Sequence, residues 1–313
     1  MKLRTEIELT KQESVINYNS QIVLFGSCFV ENIGDKLDFY KFPHLVNPFG
    51  ILFHPIAIEN ALDDIYQKKF YTENDLYFHN DLWQSFKHHS KFSSESKSEI
   101  LSTINTSIEN ANHFLKKSSH IIITLGTAWV YEFTEQQQLV ANCHKISQNK
   151  FKKRLLSLDE IQQSLQNILT LITEFNPKTT VLFTVSPVRH LSNGIVENGQ
   201  SKALLLTAIH QVINQKNAHY FPSFEIMMDD LRDYRFYKSD MIHPNELAVD
   251  YIWDQFKKSW IDEKSNQLME AVADVQKALQ HRPFNEDSPK HQIFLKNLQQ
   301  KMDRLATQHH IHF

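Results

Sequence analysis

Apolar positions along the chain follow two alternating rhythms. Short, nearly continuous apolar runs occur at 21–25 (Gln-Ile-Val-Leu-Phe), 44–47, 120–125, 180–185 and 218–221. They are rich in Ile, Val and Phe and are bounded by Gly, Pro, Ser or Asn, the signature of strands buried on both faces. Between them apolar residues recur at helical spacing: Phe29, Ile33 and Leu37 within 29–40, and further patterns near 100–117, 155–175 and 200–215. Each helical stretch is long enough for a crossover. The predicted class is therefore α/β, with a mostly parallel sheet covered by helices on both faces. Ligands of such sheets bind beyond the carboxyl ends of the strands. That rule sets Gly26-Ser27, Asn47 to Gly50, Gly126-Thr127 and Ser186 to His190 along one rim.

Two regions depart from the alternation. Residues 63–98 are rich in aromatics and histidine (Tyr66, Phe70, Tyr71, Tyr77, Phe78, Trp83, Phe86, His88, His89) and read either as an insertion over the rim or as a satellite cluster that only packs. After Pro244, helix is expected from Asn245 to about His281. A break follows at Pro283 to Pro289, and then a second helix from His291 to Ala306. The expected organisation is one domain over 1–263, with the insertion at about 63–98, and a C-terminal helical hairpin over 264–313. The hairpin is expected to serve stability or self-association, making a homo-oligomer through these helices.

Composition narrows the function classes. Of 313 residues, 41% are hydrophobic and 22% charged, close to soluble globular averages. A net charge of −3 with dispersed basic residues gives no field for nucleic acid, so no nucleic-acid partner is expected. No apolar run approaches the ~18 residues of a membrane span, so no membrane partner is expected either. Met1 to Thr10 alternates charged and apolar residues and lacks the apolar core of a signal peptide. Together with only two cysteines, Cys28 and Cys143, this gives a cytoplasmic expectation. Glycine is scarce, 6 residues where average usage would give roughly 22, so Gly26, Gly50 and Gly126 at strand ends mark bends or close approaches.

Ser27 follows the first strand and opens a helix, where a nucleophile is well exposed and backbone N–H groups are at hand. An ordinary N-cap serine would occupy the same place. Asp240 and His243 change the weighing. A serine hydroxyl becomes a useful nucleophile when an imidazole takes its proton, and the imidazole needs a carboxylate on its other nitrogen. Asp240-Met241-Ile242-His243-Pro244 delivers both groups from one loop. Rival chemistry is thinner. Cys28 adjoins Ser27 and would be activated if its thiol ionised, against the reading as a small buried apolar residue. His88, His89, His144 and His190 lack metal-ligand spacing, and no metal or other cofactor is expected. Arg189, Arg232 and Arg235 are candidates for an anionic substrate group or for salt bridges.

Gly26-Ser27-Cys28-Phe29-Val30 resembles the motif that names the GSCFA family, with Val30 where the name has Ala. The resemblance continues through Asn47-Pro48-Phe49-Gly50, Thr124-Leu125-Gly126-Thr127-Ala128-Trp129, Asn142-Cys143-His144-Lys145, Ser186-Pro187-Val188-Arg189-His190 and Asp240 to Pro244, covering roughly residues 20–258. It implies membership of the SGNH or GDSL-like hydrolases, a flavodoxin-like three-layer sandwich, and ester hydrolysis by Ser, His and Asp. Carried over, Ser27 is the nucleophile, His243 the base and then the acid, and Asp240 its orienter. The N–H groups of Ser27 and Gly50 form part of the oxyanion hole. Two departures stand out. Gly26 replaces the Asp of the GDS pattern, and Gly126-Thr127-Ala128 lacks the Asn of the Gly-x-Asn block. The missing donor is expected from Asn142, Asn47 or Thr127, with Asn142 preferred because it follows the third strand's rim and lies in a shared string. The expected function is a serine esterase acting on a small O-acylated substrate, an acylated carbohydrate among the candidates. O-acyl transfer by the same triad and a non-catalytic ligand-binding module are the alternatives.

Overall fold

The computed structural model describes residues 5–213, 217–281, 283–285 and 288–313. Residues 1–4 of the expected N-terminal stretch, 214–215 of the helix expected over 200–215, and 286–287 of the expected break lie outside them. Five strands form the central sheet: β1 (Ile22–Gly26), β2 (His44–Val46), β5 (His120–Leu125), β9 (Thr180–Val185) and β10 (Ala218–Tyr220). Their order is β10-β9-β5-β1-β2, and every pairing is parallel. Counted among sheet strands this is 2-1-3-4-5, the flavodoxin-like doubly wound order, whose switch point lies between β1 and β5.

Alternation along each buried strand feeds two cores. Val23, Phe25, Ile121, Ile123, Val181 and Phe183 pack under α2 (Pro55–Tyr66), α3 (Lys97–Leu115), α4 (Leu158–Phe175) and α5 (Ile195–Val212). Ile22, Leu24, Ile122 and Leu182 pack against α1 (Cys28–Phe39) and α7 (Glu246–Trp260) on the opposite face. The short α6 (Ser223–Glu225) lies in the chain between β10 and α7, and the result is a three-layer sandwich.

Two smaller sheets sit beside it. The hairpin β3 (Tyr77–His79) and β4 (Leu82–Gln84) lies within the expected insertion. An antiparallel sheet of β6 (Trp129–Phe133), β7 (Gln138–Val140) and β8 (Phe151–Leu155) has β6 at its centre and was not expected. Phe86 from the hairpin region packs with Phe133 and Val140, joining the two. His88 stacks on Phe49 at 4.3 Å between ring centroids, and the His89 N–H donates to the Phe49 carbonyl at 2.9 Å. Residues His88 and His89 of the segment 63–98 are thus fastened to the Asn47 to Gly50 loop.

The helix expected over Asn245 to His281 is broken. After α7 the chain straightens at Ile261, which bridges Ile16 in parallel, before α8 (Glu263–Leu279) begins. The reason is non-local. Ile16 donates to the Trp260 carbonyl at 2.7 Å and accepts from the Asp262 N–H at 2.8 Å, so the backbone there serves a partner nearly the whole chain away. Helix α9 (Pro289–His309) folds back on α8, with Leu298 and Leu305 meeting Val272 and Val275. Among the described residues no helix is long and apolar enough to cross a membrane.

Gly26 closes β1 at φ 138°, and a Cβ there would stand 2.1 Å from the Thr124 carbonyl oxygen of β5. Only glycine fits that approach. Gly26→Ala is expected to lower stability by more than about 1 kcal/mol, read as a fall in the urea midpoint; an unchanged midpoint would contradict the close approach.

Candidate active site

The strand-end constraint fixes Ser27. Its N–H donates to the Thr124 carbonyl at 3.1 Å, and it takes the N-cap position of α1 with φ −70° and ψ 174°. An N-cap serine normally accepts a helix N–H through its hydroxyl. Here the side chain makes no such bond: Ser27 is 2% exposed, and its Oγ is buried without a hydrogen-bond partner among the described residues. A buried hydroxyl left free in this way costs stability, which a purely structural cap would avoid.

Asp240 and His243 form a local unit. His243 Nδ1 lies 2.7 Å from Asp240 Oδ2, while Asp240 Oδ1 accepts the backbone N–H groups of Ile242 (2.8 Å) and His243 (3.0 Å). Met241, at φ 57°, makes the turn tight enough for this. With Nδ1 facing a carboxylate it carries the proton, leaving Nε2 as the acceptor. The two side chains are 42% and 43% exposed for His243 and Asp240 respectively. Backbone N–H bonds, chiefly that of His243 and then that of Ile242, hold the Asp240 carboxyl down at about 2. A carboxylate lowered on folding adds stability that is present above its unfolded value and is lost as pH falls toward about 2.

Arg189 ties this loop to the sheet. Its backbone N–H donates to the Ile242 carbonyl at 3.3 Å and its Nη1 to the Met241 carbonyl at 3.4 Å. Its guanidinium lies 4.4 Å from the Tyr237 ring centre and 5.2 Å from that of Tyr234. The Asp-His loop therefore sits against the rim segment that follows β9. No hydrogen bond joins Ser27 Oγ to His243 in this structure.

The expected oxyanion donors are differently placed. The N–H of Ser27 is engaged by Thr124, and that of Gly50 donates to the Asn47 carbonyl at 2.7 Å, so neither points free at a substrate oxygen. Thr127 Oγ1 accepts the Trp129 N–H at 3.1 Å and meets Ser201 Oγ at 3.1 Å. Asn142 Oδ1 accepts the His144 N–H at 2.9 Å, bonding its own turn. Asn47 is 1% exposed and left-handed at φ 45°, and its Oδ1 accepts the Gly26 N–H at 2.9 Å. Because a backbone N–H only donates, the amide orientation is forced. Nδ2 faces the other way, buried and without a partner among the described residues.

The rival nucleophile is poorly activated. Burial, then Glu31, pushes the Cys28 thiol up. Among the described residues no group of three or more His, Cys, Asp or Glu is placed to hold a metal ion. His88 and His144 instead share Ser85, through its Oγ at 3.0 Å and its carbonyl at 2.9 Å, and burial pushes His88 down to about 3. His190 tilts against Phe53. Arg235 pairs with Asp233 at 3.1 Å, and with Arg232 it lines a groove shared with Thr5 and Tyr220.

Sequence reasoning missed three buried polar groups. His54 caps α2 by accepting the Ala57 N–H, which leaves Nε2–H to donate to the Val140 carbonyl at 3.2 Å; burial lowers it to about 4. Ser201 accepts the Ala128 N–H at 2.7 Å. Lys202 donates to the Gly126 and Ser186 carbonyls, both at 2.8 Å. A signal for the last two existed: the buried stripe of α5 runs through Asn198, Ser201, Lys202 and Leu205, so polar residues occupy its sheet-facing first turns.

The chain is thus an α/β protein with a parallel sheet, a buried serine at the switch point and an Asp-His pair against the segment that follows β9. The GSCFA family model matches residues 21–256, and a second model, the C-terminal domain of GSCFA domain proteins, matches 272–313. The chain belongs to the GSCFA family. No curated protein matches it. Solved structures similar to it include an acetyl esterase with acetate ion, at 11% identity and TM-score 0.38, covering 82% of this chain and 99% of that one. A carbohydrate esterase family 3 protein from Talaromyces cellulolyticus is similar at 11% identity and TM-score 0.35, with the same coverage. Likeness at this level carries no argument about chemistry.

Because the backbone bonds come first in lowering Asp240, most of the depression should survive in His243→Ala. Carboxyl-carbon NMR titration checks this; a return of Asp240 to the free value of about 3.9 would show that the imidazole, not the turn, holds the carboxylate.

Proposed function

We propose that the protein is a serine hydrolase of carboxylic esters with the triad Ser27, His243 and Asp240, of the SGNH or GDSL-like kind, acting on a small O-acylated substrate such as an acylated carbohydrate. The observation that carries this reading is the 2.7 Å Asp240–His243 bond, which fixes the imidazole tautomer in a loop bonded to the rim that also holds an uncapped serine. His243 Nε2 takes the Ser27 proton as Oγ attacks the acyl carbon. It then returns that proton to the departing alcohol oxygen, leaving an acyl-serine. Water, deprotonated by the same imidazole, releases the acid. Ser27 and His243 must close together when substrate binds, because catalytic hydrogen bonds often tighten only in the complex.

Asn47 is the side-chain oxyanion donor on this reading, in preference to Asn142. Its Oδ1 bonds the N–H of Gly26, next to Ser27, and its Nδ2 is buried without a partner among the described residues, whereas the Asn142 Oδ1 bonds the N–H of His144 in its own turn. O-acyl transfer is a second reading, favoured by the burial of Ser27 Oγ, since a nucleophile shielded from water favours a hydroxyl acceptor.

Labelling by a fluorophosphonate tests the first reading. Ser27→Ala is expected to abolish labelling, and Ser27→Ala and His243→Ala each to lower ester turnover on the order of 10⁴–10⁶-fold. Full activity in Ser27→Ala with an inactive Cys28→Ala would make the thiol the nucleophile.

Asn47→Asp keeps the acceptor for Gly26 and removes the donor. It should lower kcat by ~10²–10³-fold, while Asn142→Ala changes it less than about threefold. The reverse pattern would return the role to Asn142.

A further inference from the structure

Lys202 is 2% exposed, and among the described residues no carboxylate pairs with it. Its Nζ bonds the carbonyls of Gly126 and Ser186, the residues that follow β5 and β9. Gly126 in turn lies against the serine: a Cβ built on it would stand 3.2 Å from Ser27 Cβ. Gly126 is thus shared between the ammonium and the candidate nucleophile. The titratable groups that face Lys202 are Cys28, pushed up by burial against the opposing pull of the ammonium, and His190, pushed down by burial and then by the ammonium; the Phe224 ring centre lies 5.8 Å from Nζ.

Satisfying strand-end carbonyls does not require a cation. One residue before Ser186, the Val185 carbonyl accepts the hydroxyl of Ser223 at 2.8 Å. A buried unpaired ammonium is costly, so its use where a hydroxyl serves next door calls for another role. A positive charge bonded to Gly126, which abuts Ser27, would favour the negative charge that develops on a substrate oxygen at Ser27.

We propose that Lys202 is a positioning residue of the active site, whose ammonium ties Gly126, which abuts Ser27, to Ser186 and supplies positive potential to the oxyanion through the backbone of Gly126. The inference rests on the serine-hydrolase reading. Burial lowers Lys202 to about 7, so its charge is lost as pH rises through neutrality. On this proposal the reaction needs protonated Lys202, which gives the rate profile a falling alkaline limb. The stability sign is the reverse. The unfolded chain binds the extra proton between about 7 and the ordinary lysine range, so stability rises as pH climbs through that window.

The test is the rate of Ser27 labelling by a fluorophosphonate between about pH 5 and pH 10 in the full chain, for wild type, Lys202→Met and Lys202→Arg. Wild type should show the alkaline limb. Lys202→Met should react about 10²-fold more slowly and lack that limb, and Lys202→Arg, charged throughout, should keep its rate at high pH. Labelling of Lys202→Met within about threefold of wild type with the same profile overturns the proposal while leaving the hydrolase reading intact. If Lys202→Met does not fold, lysine side-chain NMR on wild type decides: a lysine that titrates together with the alkaline limb supports the proposal, and lysines that all titrate near their ordinary value of about 10.4 overturn it. A wild-type protein that never labels at Ser27 fails the hydrolase reading, and this inference with it.

Discussion

How closely β1 and β5 approach at their carboxyl ends governs the whole rim. Gly26 lets the backbone of β1 lie against Thr124, and the Thr124 carbonyl then takes the Ser27 N–H. Each further group is placed by reference to that contact. Asn47 reaches the N–H of Gly26, Gly126 abuts Ser27, and Lys202 holds the carbonyl of Gly126. A side chain at position 26 would push the strands apart and displace the serine, the amide and the ammonium together.

The two halves of the constellation are assembled on different length scales. Asp240 and His243 are neighbours in sequence, and a four-residue turn organises them with its own backbone N–H groups. Ser27 owes its setting to strands and loops distant in sequence, and it is buried where the pair is half exposed. The geometry of the pair is therefore set by its own turn, while access to the serine depends on the surrounding rim.

The central sheet was legible because its strands are buried on both faces and read as plain apolar runs. The strands of the second sheet were hidden: Phe151 to Leu155 carries Lys152, Lys153 and Arg154 in succession, Lys152 and Lys153 are exposed, and no residue of the strand is fully buried. No Gly or Pro announces the interruption at Ile261, because its cause is Ile16, far away in sequence. Ser27, Asp240 and His243 stood out as residue types whose chemistry fits together. The buried partners of the rim did not. A lysine on a helix reads as a solvated residue until the stripe it shares with Ser201 and Leu205 is seen to face the sheet.

The bridge between Ile16 and Ile261 also bears on the order in which the molecule is assembled. Ile16 is fully buried, and its backbone groups are paired with residues 260 and 262. During synthesis the stretch around it waits, unpaired and apolar, until more than two hundred further residues have emerged. The layer built from α1 and α7 cannot close before then, whereas α2 to α5 can already cover the opposite face. Contacts of such long sequence separation form slowly, and they leave an exposed edge in the meantime. The half-made chain is thus a one-sided sandwich, and its vulnerable face is the one that its last third completes.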